Sequence, residues 1–154
     1  MVTTSAFAGG LSAITIGPMF HVNFGGKEEL RFSWGFEASY WISTPSNHKE
    51  NEDDDFSFNL NEGVLPMHSI DLGFEAQRKK VLFYCEYQVG LIWAGASVGP
   101  VLEYNGNAAQ VGFQGSVWGD YFLGLDFRLR KIIHQPLVYA PGVMFKIPVM
   151  IGPK

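Results

Sequence analysis

The sequence lacks the features that mark several classes of small protein. Its one cysteine, Cys85, has no internal partner for a disulfide, and no Cys/His spacing suits a zinc site. Only 17% of its residues are charged, against roughly 25% in an average soluble domain. The 11 Lys and Arg are outnumbered by 15 Asp and Glu, so there is no basic surplus for binding nucleic acid.

Nucleotide-binding loops and long apolar runs are missing as well. Neither GxxxxGK[ST] nor GxGxxG precedes a helical pattern, and we expect no cofactor and no metal ion. No window of about 18 consecutive apolar residues occurs, which excludes a transmembrane helix. At 154 residues, the chain fits a single domain.

What the chain has instead is strict alternation of apolar and polar residues. In the clearest case, from Leu30 to Ser43, apolar residues occupy every second position, which is the period of a strand whose faces meet different environments. The same pattern predicts eight strands, at residues 11–24, 29–43, 66–77, 81–94, 97–105, 109–118, 120–130 and 137–150. Two connections between consecutive predicted strands, at Ala94 to Ser97 and at Trp118 to Asp120, require tight turns.

Side-chain size and charge decide which face looks inward. The apolar face is bulky on every strand, whereas the interior of an eight-stranded barrel is just wide enough to be filled by side chains. The opposite face mixes charged residues with glycine, which makes room for long neighbours in a crowded interior. We therefore predict an all-β fold, an eight-stranded antiparallel up-and-down transmembrane β-barrel with its apolar face toward lipid, where closure pairs every backbone polar group.

This prediction assigns side chains to two surfaces. The residues expected to face lipid are Phe20, Phe32, Trp34, Phe36, Phe83, Leu91, Trp93, Leu125, Phe127 and Phe145. The residues expected to form a charge network in the lumen are Arg31, Glu37, Asp71, Glu75, Glu86, Glu103, Asp126, Arg128 and Lys146. Aromatic residues that tend toward strand ends, among them Trp41, Tyr84 and Trp118, are expected to form interfacial girdles.

The pattern over residues 11–150 resembles the small eight-stranded bacterial outer-membrane proteins of the OmpA and OmpX type. The resemblance is architectural, because no family-specific motif is present, and it carries no functional residues over to this chain. It implies location in a bacterial outer membrane, contact with membrane lipid or lipopolysaccharide, and a structural or surface-interaction role. A closed barrel has no unpaired strand edge that could pair with a second chain, so we expect a monomer.

Several other functions remain open at this stage. The lumen charges form a paired polar plug, or they line a narrow ion pathway. If the bulky face instead lined a cavity, the chain would be a soluble or periplasm-facing barrel carrying a lipid or another apolar ligand. A lipid hydrolase or acyltransferase is the enzyme alternative, built on His21 or on His68, Ser69 and Asp71, but alternation separates His68 from the other two residues, so we expect no enzyme.

An acidic loop at residues 44–64 is the clearest recognition surface for a protein partner. Its candidate contact residues are Glu50, Glu52, Asp53, Asp54 and Asp55. The spacing lacks the glycine and final glutamate of an EF-hand, and a solvated loop is expected. A periplasmic N-terminus would place this loop on the periplasmic side, where turns are usually short. Either the strand count is off by one or the protein departs from the usual pattern.

Residues 1–10 are assigned to a separate N-terminal segment. Ala6-Phe7-Ala8 resembles an A-x-A cleavage site, but no basic region or long apolar stretch precedes it. The segment is interpreted either as the remnant of a signal peptide or as a chance match in a short Ala-rich stretch.

Overall fold

A computed structural model describes residues 11–25, 30–43, 67–91, 94–119 and 123–153. These residues form β-strands and some of the turns between them, and none of them belongs to a helix long and apolar enough to cross a membrane. The strands are β1 (Leu11–Asn23), β2 (Arg31–Ser43), β3 (Met67–Gln77), β4 (Lys80–Gly90), β5 (Ala94–Tyr104), β6 (Ala109–Gly119), β7 (Leu123–Ile132), β8 (Leu137–Phe145) and β9 (Ile147–Pro153).

The strands close into an antiparallel barrel in which consecutive strands from β1 to β8 pair with each other. The seam lies along β1, which pairs with β2 on one side and with β8 and β9 on the other. Only Lys146 separates β8 from β9, and together these two segments form one interrupted strand. The ring therefore has eight strands, and the predicted fold class is confirmed.

Two details of the strand prediction need correction. The tight turn predicted at Ala94 to Ser97 is wrong, because these residues lie within β5. The connection comes earlier, and the Leu91 backbone N–H donates to the Ala94 carbonyl at 2.7 Å. Leu91, predicted to face lipid from β4, instead follows that strand and is half-buried. The last strand was predicted to be continuous but is interrupted at Lys146.

The two ends of the barrel differ. The connections β1–β2, β3–β4, β5–β6 and β7–β8 share one end, called here the turn end. The segment between Ser43 and Met67 joins β2 to β3 at the other end, where β1 begins and β9 finishes; we call it the loop end. The strand count is eight, so the prediction was not off by one strand, and this segment lies at the same end of the barrel as the start of β1. The acidic residues 50–55 and the rest of segment 44–66 lie outside the described residues, as do residues 1–10.

Side chains alternate between the barrel's two surfaces with the period of two that a pleated strand requires. The outer surface is apolar, and Phe32 and Leu125 are each 73% exposed on it. The inner surface combines carboxylates, bases, amides and hydroxyls with a few buried apolar side chains such as Met19 and Leu82. The apolar face is therefore the outer one, which reverses the arrangement that a soluble carrier of an apolar ligand would need.

Glycine makes room for large side chains inside the barrel. A Cβ at Gly142 would overlap the His21 ring, and one at Gly73 would overlap the Tyr84 hydroxyl. Both large side chains are buried in the lumen. These glycines thus allow the interior of a narrow barrel to be filled with side chains.

Candidate functional site

The lumen contains an ion pair that crosses the barrel. Arg130 on β7 and Glu75 on β3 belong to strands that are four apart in either direction around the ring. Arg130 Nη2 donates to Glu75 Oε1 at 2.5 Å, and Arg130 Nε donates to Gln114 Oε1 at 2.5 Å. Ser33 donates to the other Glu75 oxygen at 3.0 Å. This layer lies toward the turn end and ties opposite walls together.

Arg128 forms the centre of a second layer. Its Nε donates to Asp126 Oδ2 at 2.6 Å, and its Nη2 donates to Glu37 Oε2 on β2 at 2.7 Å. Tyr84 lies beneath the guanidinium, 4.8 Å from ring centroid to Arg128 Cζ, and its hydroxyl donates to Glu37 at 2.8 Å. His21 Nε2 lies 2.9 Å from Asp126 Oδ2. The Arg128 guanidinium is thus held by two carboxylates and one aromatic face, which offsets the cost of its burial.

Toward the loop end the lumen is filled by Lys146 and two indole rings. Lys146 Nζ contacts Glu37 Oε1 at 2.6 Å and donates to Ser39 Oγ at 3.0 Å. The same ammonium lies 5.4 Å from the ring centroid of Trp41 and 5.9 Å from that of Trp118, and these rings meet edge to face. Lys146 occupies the break between β8 and β9, so the interruption of the last strand coincides with this contact.

Three buried carboxylates form the one arrangement among the described residues that matches the spacing of a metal site. Oxygens of Glu37, Asp71 and Glu86 lie within 4.8 Å of one another. Protein donors already bind them: Lys146, Arg128 and Tyr84 bind Glu37, Ser69 binds Asp71, and Ser97 and Gln114 bind Glu86. The cluster is therefore part of the hydrogen-bonded filling of the lumen.

The structure places most of the predicted lumen charges inside the barrel. Buried and linked by hydrogen bonds are Glu37, Asp71, Glu75, Glu86, Asp126, Arg128 and Lys146. Glu103 is also buried, close to the mouth at the turn end, where it pairs with Lys80 at 2.7 Å, whereas Arg31 is half-buried at the same mouth. Sequence reasoning did not include Arg130 in the lumen network, although it shares the alternation of Asp126 and Arg128 along β7.

The two sets of aromatic and apolar residues predicted to lie on the outside differ in their exposure. Most of the set predicted to face lipid is exposed, whereas the girdle residues named above are buried. Exposed on the outer surface are Phe20, Phe32, Trp34, Phe36, Phe83, Leu125, Phe127 and Phe145, while Trp93 lies outside the described residues. The girdle prediction is wrong for Trp41, Tyr84 and Trp118, which are buried in the lumen. Alternation, not closeness to a strand end, decides their face.

The residues of the enzyme alternative do not meet. Ser69 and Asp71 are buried together, and the Ser69 hydroxyl donates to Asp71 at 2.8 Å. His68 lies on the outer surface, where its ring stacks on Tyr87 and its Nδ1 is 2.7 Å from the Tyr87 hydroxyl. His21 pairs with Asp126. Within the described part of the chain, these residues do not form the contacting set of nucleophile, base and orienting group that nucleophilic catalysis requires.

A closed barrel with an apolar outer surface and an ionic, hydrogen-bonded lumen has the design of a transmembrane β-barrel. No protein family matches the chain, and no curated protein matches it. Among solved structures it is similar to Ail, the attachment invasion locus protein of Yersinia pestis, with 9% sequence identity and a TM-score of 0.26; the match covers 90% of this chain and 99% of that one. The fold assignment depends on this chain's own strand order and register.

Proposed function

We propose that the protein is an integral β-barrel of a bacterial outer membrane whose lumen is sealed, and that its role is structural or involves surface interactions. The observation that carries this proposal is the filled lumen. Arg130 reaches Glu75 across the barrel, and Arg128 reaches Glu37 one layer away. An eight-stranded barrel is narrow enough for such side chains to fill it.

The outer surface supports insertion into lipid. Large apolar side chains are exposed on every strand from β1 to β8, including Ile70 on β3, Val98 on β5 and Phe113 on β6. A monomeric soluble protein rarely exposes such a continuous apolar surface. In a bilayer the same surface meets hydrocarbon, and the closed ring leaves the strands no unpaired edge.

A sealed barrel acts through its ends and its outer wall. Membrane lipid or lipopolysaccharide is the proposed partner of the wall, and the acidic residues 50–55 are the proposed contact for a protein partner. The closed ring provides no strand edge for pairing with a second copy, which favours a monomer. Because Arg128, Glu37 and their neighbours bond to one another, a conducting or catalytic role is disfavoured.

Reconstitution into planar lipid bilayers tests the sealed lumen. Folding is first verified by a heat-modifiable shift on a denaturing gel. We expect no unitary conductance from the folded protein, and a greater leak from Arg128→Ala/Glu37→Ala, which removes side chains from the middle of the lumen. The matched control Arg78→Ala alters only an exposed turn residue. Regular conductance steps from the unaltered protein would contradict the proposal.

A further inference from the structure

The outer wall contains an apolar groove near the middle of the barrel. It has a volume of about 370 Å³ and crosses β2 and β3, from Ile16 on β1 to Phe83 on β4. All the residues that line it belong to strands that the structure describes. We infer that this groove binds an acyl chain of a membrane lipid. The inference rests on the proposed membrane location and adds to it one specific lipid-binding site on the wall.

A small residue creates the groove. Ala38 lies between Phe36 and Tyr40 on the outer face of β2, and its methyl group is much smaller than either ring. The floor beside it is the backbone of Glu37 and Gly73, which are cross-strand partners on β2 and β3. Neither adds a side chain to the outer face, because Gly73 has none and the Glu37 carboxylate is buried in the lumen. The groove is therefore a depression in which the sheet backbone comes close to the surface.

Two rows of cross-strand partners form the walls of the groove. The first row is aromatic and consists of Phe36, Phe74 and Phe83. The second row is aliphatic and consists of Ile16, Ala38 and Leu72. Phe36, Leu72 and Phe83 are 49%, 58% and 51% exposed, so these walls are open to lipid. A hydrocarbon chain lying between the rows would contact protein on several sides, whereas one lying on a flat wall contacts protein on one side only. The groove thus adds dispersion contacts.

Depth in the membrane decides what can occupy the groove. Phe36 and Ala38 flank the centre of β2, and Leu72 is the central residue of β3. These strands have 13 and 11 residues, close to the about nine to eleven that cross the hydrocarbon layer. Their centres therefore lie near the midplane of the bilayer, where lipids present acyl chains and not headgroups.

A second copy of the chain is the other apolar occupant to consider. Stable protein interfaces use about 20–30 residues from each partner, whereas eight residues line this groove. In a two-fold dimer the same patch would face itself, and two facing depressions would leave a gap between the copies. The volume of the groove instead falls within the range of small-ligand pockets, about 300–1,000 Å³, which are lined mostly by apolar and aromatic side chains.

Native mass spectrometry of the full chain tests the inference. The barrel is first refolded into vesicles, where a heat-modifiable gel shift and co-flotation with the vesicles verify folding and insertion. It is then transferred to detergent and titrated with dipalmitoyl phosphatidylglycerol, dipalmitoyl phosphatidylethanolamine or dihexanoyl phosphatidylglycerol. We expect one dipalmitoyl lipid to bind per barrel with similar affinity for either headgroup, and the dihexanoyl lipid to bind much more weakly.

Variants at the floor of the groove provide the matched comparison. Ala38→Phe fills the groove with a ring and should lower the lipid-bound fraction about tenfold, because the added side chain excludes the acyl chain. Ala38→Leu fills it partly and should cause a smaller loss. The control Ala96→Phe adds the same ring to an exposed position on β5, outside the groove, and should leave the lipid-bound fraction unchanged.

Four results would overturn the inference. The first two are an absence of bound lipid on barrel that has folded and inserted, and equal lipid binding by Ala38→Phe and Ala96→Phe. The third is binding that follows the headgroup and not the chain length. The fourth is a dimer that Ala38→Phe dissociates, which would assign the groove to a second copy. Because the gel shift and flotation report the inserted barrel separately, failure of this inference is distinguishable from failure of the proposed membrane function.

Discussion

Arg130 and Glu75 join opposite walls of the barrel through a hydrogen bond of 2.5 Å between Nη2 and Oε1. The two residues are 55 positions apart in sequence. Both side chains are almost fully buried, at 2% and 0% exposure. The lumen is therefore closed by a long-range ion pair that only the completed ring brings together, since neither strand contacts the other through its backbone.

The first prediction concerns this pair. Arg130→Met leaves the Glu75 carboxylate buried without its closest cation, and breaking a buried pair costs about 3–5 kcal/mol. The free energy of unfolding in lipid vesicles, followed by tryptophan fluorescence in urea, should fall accordingly. The exposed control Arg78→Met should stay within about 0.5 kcal/mol of the unaltered protein.

A double variant separates the effect of losing the ion pair from the effect of leaving one buried charge without a partner. Arg130→Met/Glu75→Met removes both partners and should recover part of the loss, because apolar side chains of similar volume often replace a buried pair at little cost. A double variant less stable than Arg130→Met alone would contradict this account of the layer.

The second prediction concerns close approach between strands. A Cβ at Gly99 on β5 would overlap the backbone carbonyl oxygen of Cys85 on β4, and that backbone cannot move without disturbing the sheet. Gly99→Ala should therefore lower the yield of heat-modifiable, folded barrel. Gly115→Ala is the matched control, because its Cβ would meet only the Ser97 carbonyl oxygen, at 3.3 Å. Equal yields from the two variants would show that β4 and β5 do not approach closely at Gly99.

The third prediction tests the lipid-facing wall. Phe36 is exposed at the middle of β2, opposite Pro18 and Phe74 on its neighbours. Phe36→Arg should cost about 2–4 kcal/mol if the residue lies at the bilayer midplane. Phe36→Leu keeps an apolar side chain and should insert normally. The measurement is the folded fraction after dilution from urea into vesicles; equal fractions for the two variants would place this face away from lipid.

Much of the fold could be predicted from alternation, because a period of two fixes which residues share a face once one face is buried. Glu37, Asp71 and Arg128 were placed in the lumen on this basis alone. The interruption at Lys146 could not be predicted, since Phe145 and Ile147 keep the alternation on either side of it. The sequence also could not show which charged side chains would pair. Arg130 meets Glu75 because of the strand register and the closure of the ring.

For the aromatic residues, position near a strand end was a misleading guide to which face they occupy. Trp41 and Trp118 stand near strand ends, which favoured an interfacial girdle, yet both alternate with outward residues and lie in the lumen beside Lys146. Their position in the alternating pattern was the available signal. Arg130 was left out of the predicted lumen network, although its place in the alternation of β7 was the same kind of signal.

The most direct test of the membrane-facing wall uses Cys85, the chain's single cysteine, which is exposed on the outer surface of β4. A polarity-sensitive fluorophore attached there is reconstituted in vesicles and exposed either to spin-labelled lipid or to aqueous acrylamide. The control carries the fluorophore on Arg78→Cys in a Cys85→Ser background, at an exposed turn. At Cys85 we predict strong quenching by lipid and little by acrylamide, with the opposite preference at the control. Quenching of Cys85 by acrylamide alone would contradict the account.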